Sequence, residues 1–269
     1  MSTKLKNNNS SRLPEDIFEP NNDKAIIVKN LVKKFEDVVA VNGLNFEIEY
    51  GETFGFLGPN GAGKTTTINI LSGLLDPTEG TAIINGYDIR QNIKEIKETI
   101  GVCPQEPAVY KFLSAEENLE LYGNLYTMPK DTIRERTDYL LDVMGLSDDR
   151  KRKTKNFSGG MIRRLSLILA LISDPPLVFL DEPTVGMDVK YRRATWDFIV
   201  DLKKQNKTII LTTHYLEEAE KISDRIGIID FGKLIAMGTP QELKKKYNAD
   251  SIEEVFIKIT GRKIREEEM

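Results

Sequence analysis

One stretch of the chain decides the predicted fold, and it reads Gly58-Pro59-Asn60-Gly61-Ala62-Gly63-Lys64-Thr65-Thr66. Gly58 and Gly63 are separated by four residues and followed by Lys and Thr, which is the spacing of a phosphate-binding loop. Such a loop turns its backbone N–H groups inward, and glycine allows a close approach that a Cβ would obstruct. In this loop Lys64 would reach the β- and γ-phosphates, and the Thr65 hydroxyl would ligate Mg²⁺.

The residues on both sides of this loop agree with that interpretation. Residues 53–57 are predicted to form a short buried strand and residues 66–75 a helix, so the phosphates would lie at a helix N-terminus. The alternative is a glycine-rich turn that precedes Lys-Thr by chance, and the strand and helix make that coincidence rarer. The sequence therefore predicts binding of a nucleoside triphosphate.

Composition is typical of a soluble globular protein. Of the 269 residues, 40% are apolar and 30% charged, and the longest apolar run is too short to span a membrane. The N-terminus has no apolar segment typical of a secretory signal, so we expect a cytoplasmic protein. The single cysteine, Cys103, excludes an internal disulfide and a cysteine-cluster metal site, and we expect it to be buried. A net charge of −4 gives no electrostatic reason to expect nucleic acid as a partner.

The segment before the loop predicts a second sheet. Residues 1–23 are polar with little to bury, and we expect a mobile tail there. A strand begins at residues 25–28, and apolar and polar residues alternate over 44–48 as in a half-buried strand. These strands suggest an antiparallel sheet beside a parallel nucleotide-binding core. Phe35, in the same segment, would either cover the sheet edge or stack on a bound adenine.

Between two core strands, at about residues 106–172, we expect a small helical subdomain. Ser114-Ala115-Glu116-Glu117 has the pattern of a capping box, which predicts the start of one helix. Asp131 is predicted to cap a second helix, which would stop at Gly145. The basic run at 150–155 fits either a nucleic-acid or lipid patch or, since it is short and lacks aromatic residues, a solvated connection.

Phe157-Ser158-Gly159-Gly160 opens the last helix of this subdomain. Ser158 is a suitable N-cap, and the paired glycines leave the first N–H groups of the helix open. Such a helix start is either a second phosphate site or only a capped helix entry.

Polar residues follow two apolar runs of strand length. The run 177–180 delivers Asp181 and Glu182 to its C-terminal end, where α/β sheets bind their ligands. Asp181 would join the Mg²⁺ shell, and Glu182 would orient and polarise an attacking water. The run 208–213 ends at His214, the only histidine, whose position favours a polar contact to the γ-phosphate or the water.

Together these motifs resemble the nucleotide-binding subunit of an ATP-binding cassette (ABC) transporter, over about residues 25–260. The resemblance implies an α/β fold of the P-loop NTPase class, with a mixed core sheet, an antiparallel β subdomain and an inserted α-helical subdomain. That domain would cover residues 24–260 and precede a charged C-terminal tail at 261–269.

The resemblance also implies a role for each motif. Gly58 to Thr66 is similar to Walker A, the run ending at Asp181 to Walker B, and Ser158-Gly159-Gly160 to the cassette signature. The implied catalytic residues are Lys64, Glu182 as the catalytic glutamate and His214 as the switch histidine. The implied ATP-binding residues are Phe35 under the adenine, Gly58, Pro59, Asn60, Gly61, Ala62, Gly63, Lys64, Thr65 and Thr66, Gln105 of the Q-loop, Ser158, Gly159 and Gly160, and Asp188 of the D-loop. The implied Mg²⁺ ligands are Thr65, Gln105 and Asp181.

Two positions depart from the family pattern. Met161 stands where the signature commonly has Gln, and Met187 stands where the D-loop commonly has Leu. Ser158 and Gly160 are retained, so we expect activity to survive, but a side-chain amide contact at position 161 cannot be carried over.

The resemblance implies an ATPase that binds ATP and Mg²⁺ and works as a head-to-tail pair with a second copy or a homologous subunit. A separate membrane permease would supply the transport pathway, and the subunit would sit at the cytoplasmic face of the membrane. It should dock near Gln105 and residues 116–118. Residues 251–256 resemble the tail of ATPases paired with ABC-2-type export permeases, although a packing helix would show the same apolar spacing.

Three alternatives have different sequence signatures. Cassette ATPases that act on nucleic acid or the ribosome tend to carry two cassettes or a long coiled coil, whereas the interval from Lys64 to Ser158 is short. A regulatory module that binds ATP without turnover would not need Glu182 and His214. A GTPase would carry an Asn-Lys-x-Asp base-reading element, which this sequence lacks.

Overall fold

A computed structural model describes residues 24–262 of the chain. The expected tail at 1–23 and residues 263–269 lie outside the described residues, and the domain boundaries stay a prediction. In the described part, no helix combines the length and apolar character needed to cross a bilayer.

Ten strands and nine α-helices are assigned within the described residues. The strands are β1 (Lys24–Phe35), β2 (Val38–Glu49), β3 (Thr53–Leu57), β4 (Glu79–Ile84), β5 (Tyr87–Asp88), β6 (Ile100–Cys103), β7 (Leu177–Asp181), β8 (Thr208–Thr213), β9 (Arg225–Asp230) and β10 (Lys233–Gly238). The helices are α1 (Lys64–Leu71), α2 (Ile93–Thr99), α3 (Ala115–Leu125), α4 (Lys130–Val143), α5 (Gly159–Leu169), α6 (Val189–Lys204), α7 (Leu216–Ile222), α8 (Pro240–Tyr247) and α9 (Ile252–Thr260).

The core sheet has six strands in the order β10-β9-β3-β8-β7-β6. Strands β9, β3, β8, β7 and β6 run parallel, and β10 pairs antiparallel with β9 at the edge. Every residue of β3, β7 and β8 is buried, as expected for parallel strands covered on both faces. In register, Leu57 pairs with Thr213 and Asp181 with Thr212, so the three strands end at the same edge. This edge carries the phosphate-binding loop, the acidic pair and His214.

The predicted antiparallel sheet is confirmed, with strand order β2-β1-β4-β5. It packs on the core sheet through an aromatic cluster of Phe46, Phe54 and Phe56. Phe46 stacks on Phe54 at 5.8 Å between ring centroids, and Phe56 meets both rings edge-on at 5.2 and 5.0 Å. Aromatic pairs in these geometries add to the burial energy of the rings. The cluster therefore fixes the second sheet beside the strand that enters the phosphate-binding loop.

Helices α3, α4 and α5 form the inserted helical segment. The capping box is confirmed, since Ser114 Oγ accepts from the Glu117 amide and the Glu117 carboxylate accepts from the Ser114 amide. The expectation for Asp131 is wrong, because α4 begins at Lys130 and extended Pro129, two residues earlier, occupies the N-cap position. Asp131 lies instead in the first helical turn, where its charge complements the helix dipole.

The apolar side of α5 joins the helical segment to the core sheet. Leu165 and Ile168 of α5 pack in one buried cluster with Val178 and Leu180 of β7. Cys103 is fully buried in the same cluster, as predicted. The helical segment therefore shares its core with the nucleotide-binding sheet.

Acidic partners neutralise part of the basic run at 150–155. Arg150 binds Glu116 at 2.9 Å and Asp138 at 2.8 Å, and Lys153 binds Glu117 at 2.7 Å. These ion pairs tie the run to the helical segment. The arrangement favours the solvated connection over a nucleic-acid patch.

The C-terminal helix α9 packs against the body of the protein. Ile252, Val255 and Phe256 are buried in one cluster with Leu57 and Ile228 of the core sheet. The apolar spacing of this segment is therefore used for packing.

Candidate active site

The phosphate-binding loop connects β3 to α1, and Lys64 is the first residue of the helix. Gly63 has a φ of 102°, and a Cβ at this position would lie 2.3 Å from the carbonyl oxygen of Ala40. A side chain is therefore excluded by both the backbone conformation and the neighbouring strand β2. These constraints keep the loop tightly turned where it leads into Lys64 and Thr65 at the start of α1.

Lys64 lies inside the loop, with 5% of its surface exposed. Its Nζ donates to the carbonyl oxygens of Gly58 at 2.7 Å and Pro59 at 3.2 Å. The same nitrogen lies 3.3 Å from Oε1 of Glu182. Burial lowers the pKa of Lys64, and the nearby carboxylates of Glu182 and Asp181 oppose that shift.

Three oxygen-bearing side chains meet where Mg²⁺ is expected. Thr65 Oγ1 donates to Asp181 Oδ1 at 3.2 Å and lies 3.5 Å from Gln105 Oε1. Burial raises the pKa of Asp181, while hydrogen bonds from Thr212 and Thr65 oppose the rise. A bound cation would favour the ionised carboxylate that burial disfavours.

This donor set fits Mg²⁺. Hydroxyl, carboxylate and amide oxygens are ligands that Mg²⁺ prefers, and the ion usually takes further oxygens from substrate phosphates and water. Within residues 24–262, no cluster of three or more His, Cys, Asp or Glu side chains could hold a metal alone. If Mg²⁺ binds here, we expect phosphate oxygens and water to supply the remaining ligands.

Glu182 follows the end of β7 in an uncommon backbone conformation, with a φ of 52°. Its amide donates to the carbonyl oxygen of Thr212 at 3.2 Å and to Thr212 Oγ1 at 3.0 Å. A non-glycine residue in this region costs free energy and persists only where surrounding contacts hold it. Thr212 is one of those contacts, and it also donates to Asp181.

His214 lies against the same carboxylate. Its Nδ1 is 2.8 Å from Glu182 Oε2, within ion-pair distance, although the two atoms lack the alignment of a hydrogen bond. Burial of the Glu182 carboxyl would raise its pKa, but His214 and Lys64 together hold that pKa below its ordinary value. Glu182 is thus kept ionised and able to accept a hydrogen bond or a proton.

A cavity of about 360 Å³ opens over these groups. Its lining brings the predicted adenine contact together with most of the predicted phosphate and metal contacts. The lining residues are Phe35, Ala40, Asn60, Gly61, Ala62, Gly63, Lys64, Thr65, Thr66, Gln105 and Glu182. Phe35 is 45% exposed at this wall, and its stacking on adenine stays a prediction. A larger cavity of about 710 Å³ between α3 and α4 holds none of these groups.

The signature residues lie outside the nucleotide cavity of their own chain. Ser158 is exposed and caps α5 by accepting from the Met161 amide at 3.3 Å. Gly160 faces the backbone of Gly186 and Met187. The signature and the D-loop therefore form one exposed surface.

Asp188 is exposed and caps α6, since its Oδ1 accepts from the Tyr191 amide at 3.0 Å. This contact gives Asp188 a local structural role beside its predicted contact to nucleotide. The nucleotide contact stays a prediction.

Sequence reasoning missed three residues that organise the site. Thr212 touches both members of the acidic pair, Arg163 binds the backbone around Glu182, and Glu218 is fully buried behind it. Glu218 Oε1 accepts from Thr184 at 2.7 Å and from Trp196 at 2.8 Å. Only Thr212 carried a signal, because it lies on β8, the strand that His214 directly follows.

Known proteins share this sequence over most of its length. The model of the ABC transporter family matches residues 41–185. The linearmycin resistance ATP-binding protein LnrL of Bacillus subtilis is 41% identical over 83% of this chain and 72% of its own length. The doxorubicin resistance ATP-binding protein DrrA of Mycobacterium tuberculosis is 43% identical over 84% of this chain and 69% of its own length.

Solved structures share the fold. The ATP-binding subunit of an ABC transporter superposes with a TM-score of 0.81 at 28% identity, covering 88% of this chain and 99% of that chain. An ATP-binding cassette solved as a dimer in a post-hydrolysis state with ADP and Pi has a TM-score of 0.74 at 27% identity. It covers 80% of this chain and 98% of that chain.

The family match contains the phosphate-binding loop, Gln105, the signature and the acidic pair, all of which the fold places at one sheet edge or beside it. The predicted P-loop NTPase fold with an antiparallel β sheet and a helical insertion is confirmed. This chain belongs to the ABC transporter family and is an ATP-binding, ATP-hydrolysing subunit of a transporter.

Proposed function

We propose that this subunit drives export through a separate permease of the ABC-2 type, using ATP hydrolysed in the cavity between Lys64 and Glu182. One observation carries the assignment of the site. Three separate segments meet there: Lys64 and His214 lie within ion-pair distance of Glu182, and Thr65, beside Lys64, hydrogen-bonds to Asp181, beside Glu182.

In the reaction, Glu182 orients a water molecule against the γ-phosphate and accepts its proton. The water oxygen bonds to phosphorus while the bond to the bridging oxygen breaks, and ADP leaves. His214 holds the carboxylate ionised and contacts the γ-phosphate or the water, and Lys64 stabilises negative charge on the phosphates.

Thr65, Asp181 and Gln105 would hold Mg²⁺ beside the β- and γ-phosphates. When bound, the ion neutralises charge that develops on the phosphate oxygens. In its absence, Asp181 retains its hydrogen bonds from Thr65 and Thr212.

A second subunit would complete the site. Ser158 is exposed, Gly160 is half-buried, and neither lines the cavity of its own chain, so both could close the nucleotide of another. The dimeric cassette bound to ADP and Pi supports this arrangement. We infer a head-to-tail pair, formed with a second copy or a homologous subunit.

The permease would dock on the segment between Gln105 and α3, at the cytoplasmic face of the membrane. Tyr110 and Phe112 are 55% and 79% exposed there, and apolar side chains of this size favour a protein contact. Asn118, which we had expected at this surface, is instead buried, and its side chain binds the backbone of Tyr110. Asn118 would therefore hold the docking segment in place through the backbone of Tyr110.

Export is supported by the relatives, which are named as linearmycin and doxorubicin resistance proteins.

Glu182→Gln tests the proposed site in the full chain. It should keep ATP binding, reduce phosphate release by about 10²–10⁴-fold, and trap an ATP-dependent dimer visible by light scattering. Glu98→Gln, at an exposed position of α2, is the matched control and should behave as the unmodified chain. A monomeric, fully active Glu182→Gln variant would show that the proposed mechanism is wrong.

A further inference from the structure

Arg163 of α5 is buried beside the active site, with 4% of its surface exposed. Its Nη1 donates to the carbonyl oxygens of Pro104 at 2.6 Å and Gln105 at 2.9 Å. Its Nη2 donates to the carbonyl oxygens of Asp181 and, at 2.6 Å, Glu182. Its Nε lies 3.1 Å from the same Glu182 oxygen and 3.3 Å from that of Pro183. All five acceptors are backbone carbonyl groups.

These carbonyls belong to two segments that leave the core sheet. The ladder between β6 and β7 ends with the pair Cys103 and Leu180. Beyond that pair, Arg163 bridges the backbone of Gln105 to the backbone of Glu182. A guanidinium carries five N–H donors in a rigid planar fork, so it can hold several carbonyls at defined separations. Lys, with a single ammonium on a flexible stem, cannot reproduce this geometry.

The bridge acts on the residue whose backbone most needs support. Glu182 has a φ of 52°, and Thr212 holds its amide. Arg163 holds its carbonyl from the opposite side. The peptide groups on both sides of the Glu182 α-carbon are therefore held by separate partners.

The same helix begins with the signature. Ser158 caps α5, and Arg163 lies four residues after Gly159, about one helical turn further along. A rigid α5 therefore connects the exposed signature surface to the backbone of Glu182 in the same chain.

We propose that Arg163 is a positioning residue for ATP hydrolysis: it fixes the backbone of Glu182 and Gln105 relative to each other and to the signature helix. This inference rests on the proposed role of Glu182 as the base. Arg163 acts through Glu182 and Gln105 and does not itself touch the nucleotide.

The test compares Arg163→Lys and Arg163→Met with Arg164→Met in the full chain. Arg164 is the matched control, since it is also buried on α5 but donates to the carbonyls of Met144 and Gly145 within the helical segment. Phosphate release, equilibrium binding of ATP and thermal unfolding are measured for each variant.

Misplacement of the base predicts a selective loss of turnover. For Arg163→Met, kcat should fall by about a hundredfold while the Kd for ATP stays unchanged, and Arg163→Lys should recover part of kcat. Arg164→Met should lower the unfolding temperature but keep kcat. If Arg163→Met does not fold, Arg163→Lys carries the comparison.

A double mutant separates this inference from the proposed function. In the Glu182→Gln background, Arg163→Lys should cause a much smaller further loss, because the part of its effect that acts through Glu182 is already gone and only its contact to Gln105 remains. A fully additive loss, or an Arg163→Lys variant with unchanged kcat, overturns the positioning role. An active Glu182→Gln single variant would instead overturn the proposed base, whatever Arg163 does.

Discussion

Lys64 Nζ lies 3.3 Å from Glu182 Oε1, and both side chains are almost completely buried. The cation that would bind the phosphates is thus paired with the carboxylate that would activate water. The pair couples the loop after β3 to the end of β7. Each charge offsets the cost of burying the other, so removing one of them also destabilises the one that remains.

Lys64→Met should abolish tight ATP binding because the point charge on the phosphates is lost. It should also lower the free energy of unfolding, by up to about 3–5 kcal/mol, since the buried Glu182 loses its lysine partner and keeps only His214. Denaturant unfolding and ATP binding measure the two effects. The double variant Lys64→Met with Glu182→Gln should recover part of the stability; a double variant as unstable as the single one would contradict the coupling.

The pH dependence of hydrolysis should report Glu182. Its pKa is held below the ordinary value of 4.5, because the neighbouring His214 and Lys64 outweigh burial. Turnover should therefore persist as the pH falls to that value and decline only below it. His214→Ala removes one of the two supports, so the acidic limb of the kcat profile should move to higher pH.

The same shift contributes to stability, with the sign set by a depressed carboxyl pKa. The contribution is present above the unfolded-state pKa near 4.5 and is lost as the pH falls through the lower folded-state value. Acid unfolding of His214→Ala should accordingly begin at a higher pH than that of the unmodified chain. An unshifted acidic limb together with unshifted acid unfolding would show that His214 does not support the ionised carboxylate.

Gly63→Ala should damage the loop more than Gly61→Ala. Both glycines have positive φ, but a Cβ at Gly63 would also meet the Ala40 carbonyl at 2.3 Å, whereas open space surrounds Gly61. Gly61→Ala should cost about 1–2 kcal/mol of backbone strain, and Gly63→Ala should cost more than that. Chemical denaturation compares the two; equal losses would mean that strand β2 yields to the new methyl group.

Phe35→Ala should weaken ATP binding by about 1–3 kcal/mol, the usual contribution of an aromatic ring stacked on a base. Stability should change little because Phe35 is 45% exposed. Tyr50→Ala, with 47% exposure at a distant turn, is the control. Inorganic triphosphate has no base, so its affinity should be the same for Phe35→Ala and the unmodified chain. A parallel loss for triphosphate would place Phe35 in loop support rather than adenine stacking.

The site residues that sequence reasoning located correctly depend on local rules. Lys64 and Thr65 follow from the spacing of one loop, and their neighbours on the chain fix where they lie. Asp181 and His214 follow from a topological rule, because parallel strands present their carboxyl ends at one edge of the sheet. The structure places Asp181 against Thr65 and His214 against Glu182 at that edge, and their roles toward nucleotide and metal stay predictions.

Errors arose where packing between distant segments decides the outcome. Asp131 has the chemistry of an N-cap, but the N-cap of α4 is Pro129, two residues earlier. Asn118 looked like a surface residue, yet its amide holds the backbone of Tyr110 inside the helical segment. Polar side chains such as these hydrogen-bond either to water or to the backbone, and sequence spacing does not distinguish the two.

The sequence by itself determined the family, the order of the motifs and the residue types predicted to meet phosphate and metal, because short-range spacing controls them. Only the tertiary structure decided which groups hold Glu182: Thr212 on its amide, Arg163 on its carbonyl, and His214 with Lys64 on its carboxylate. These partners are far apart in the chain, and burial makes their contacts strong by excluding water. The environment of the base is therefore a property of the folded core rather than of any single motif.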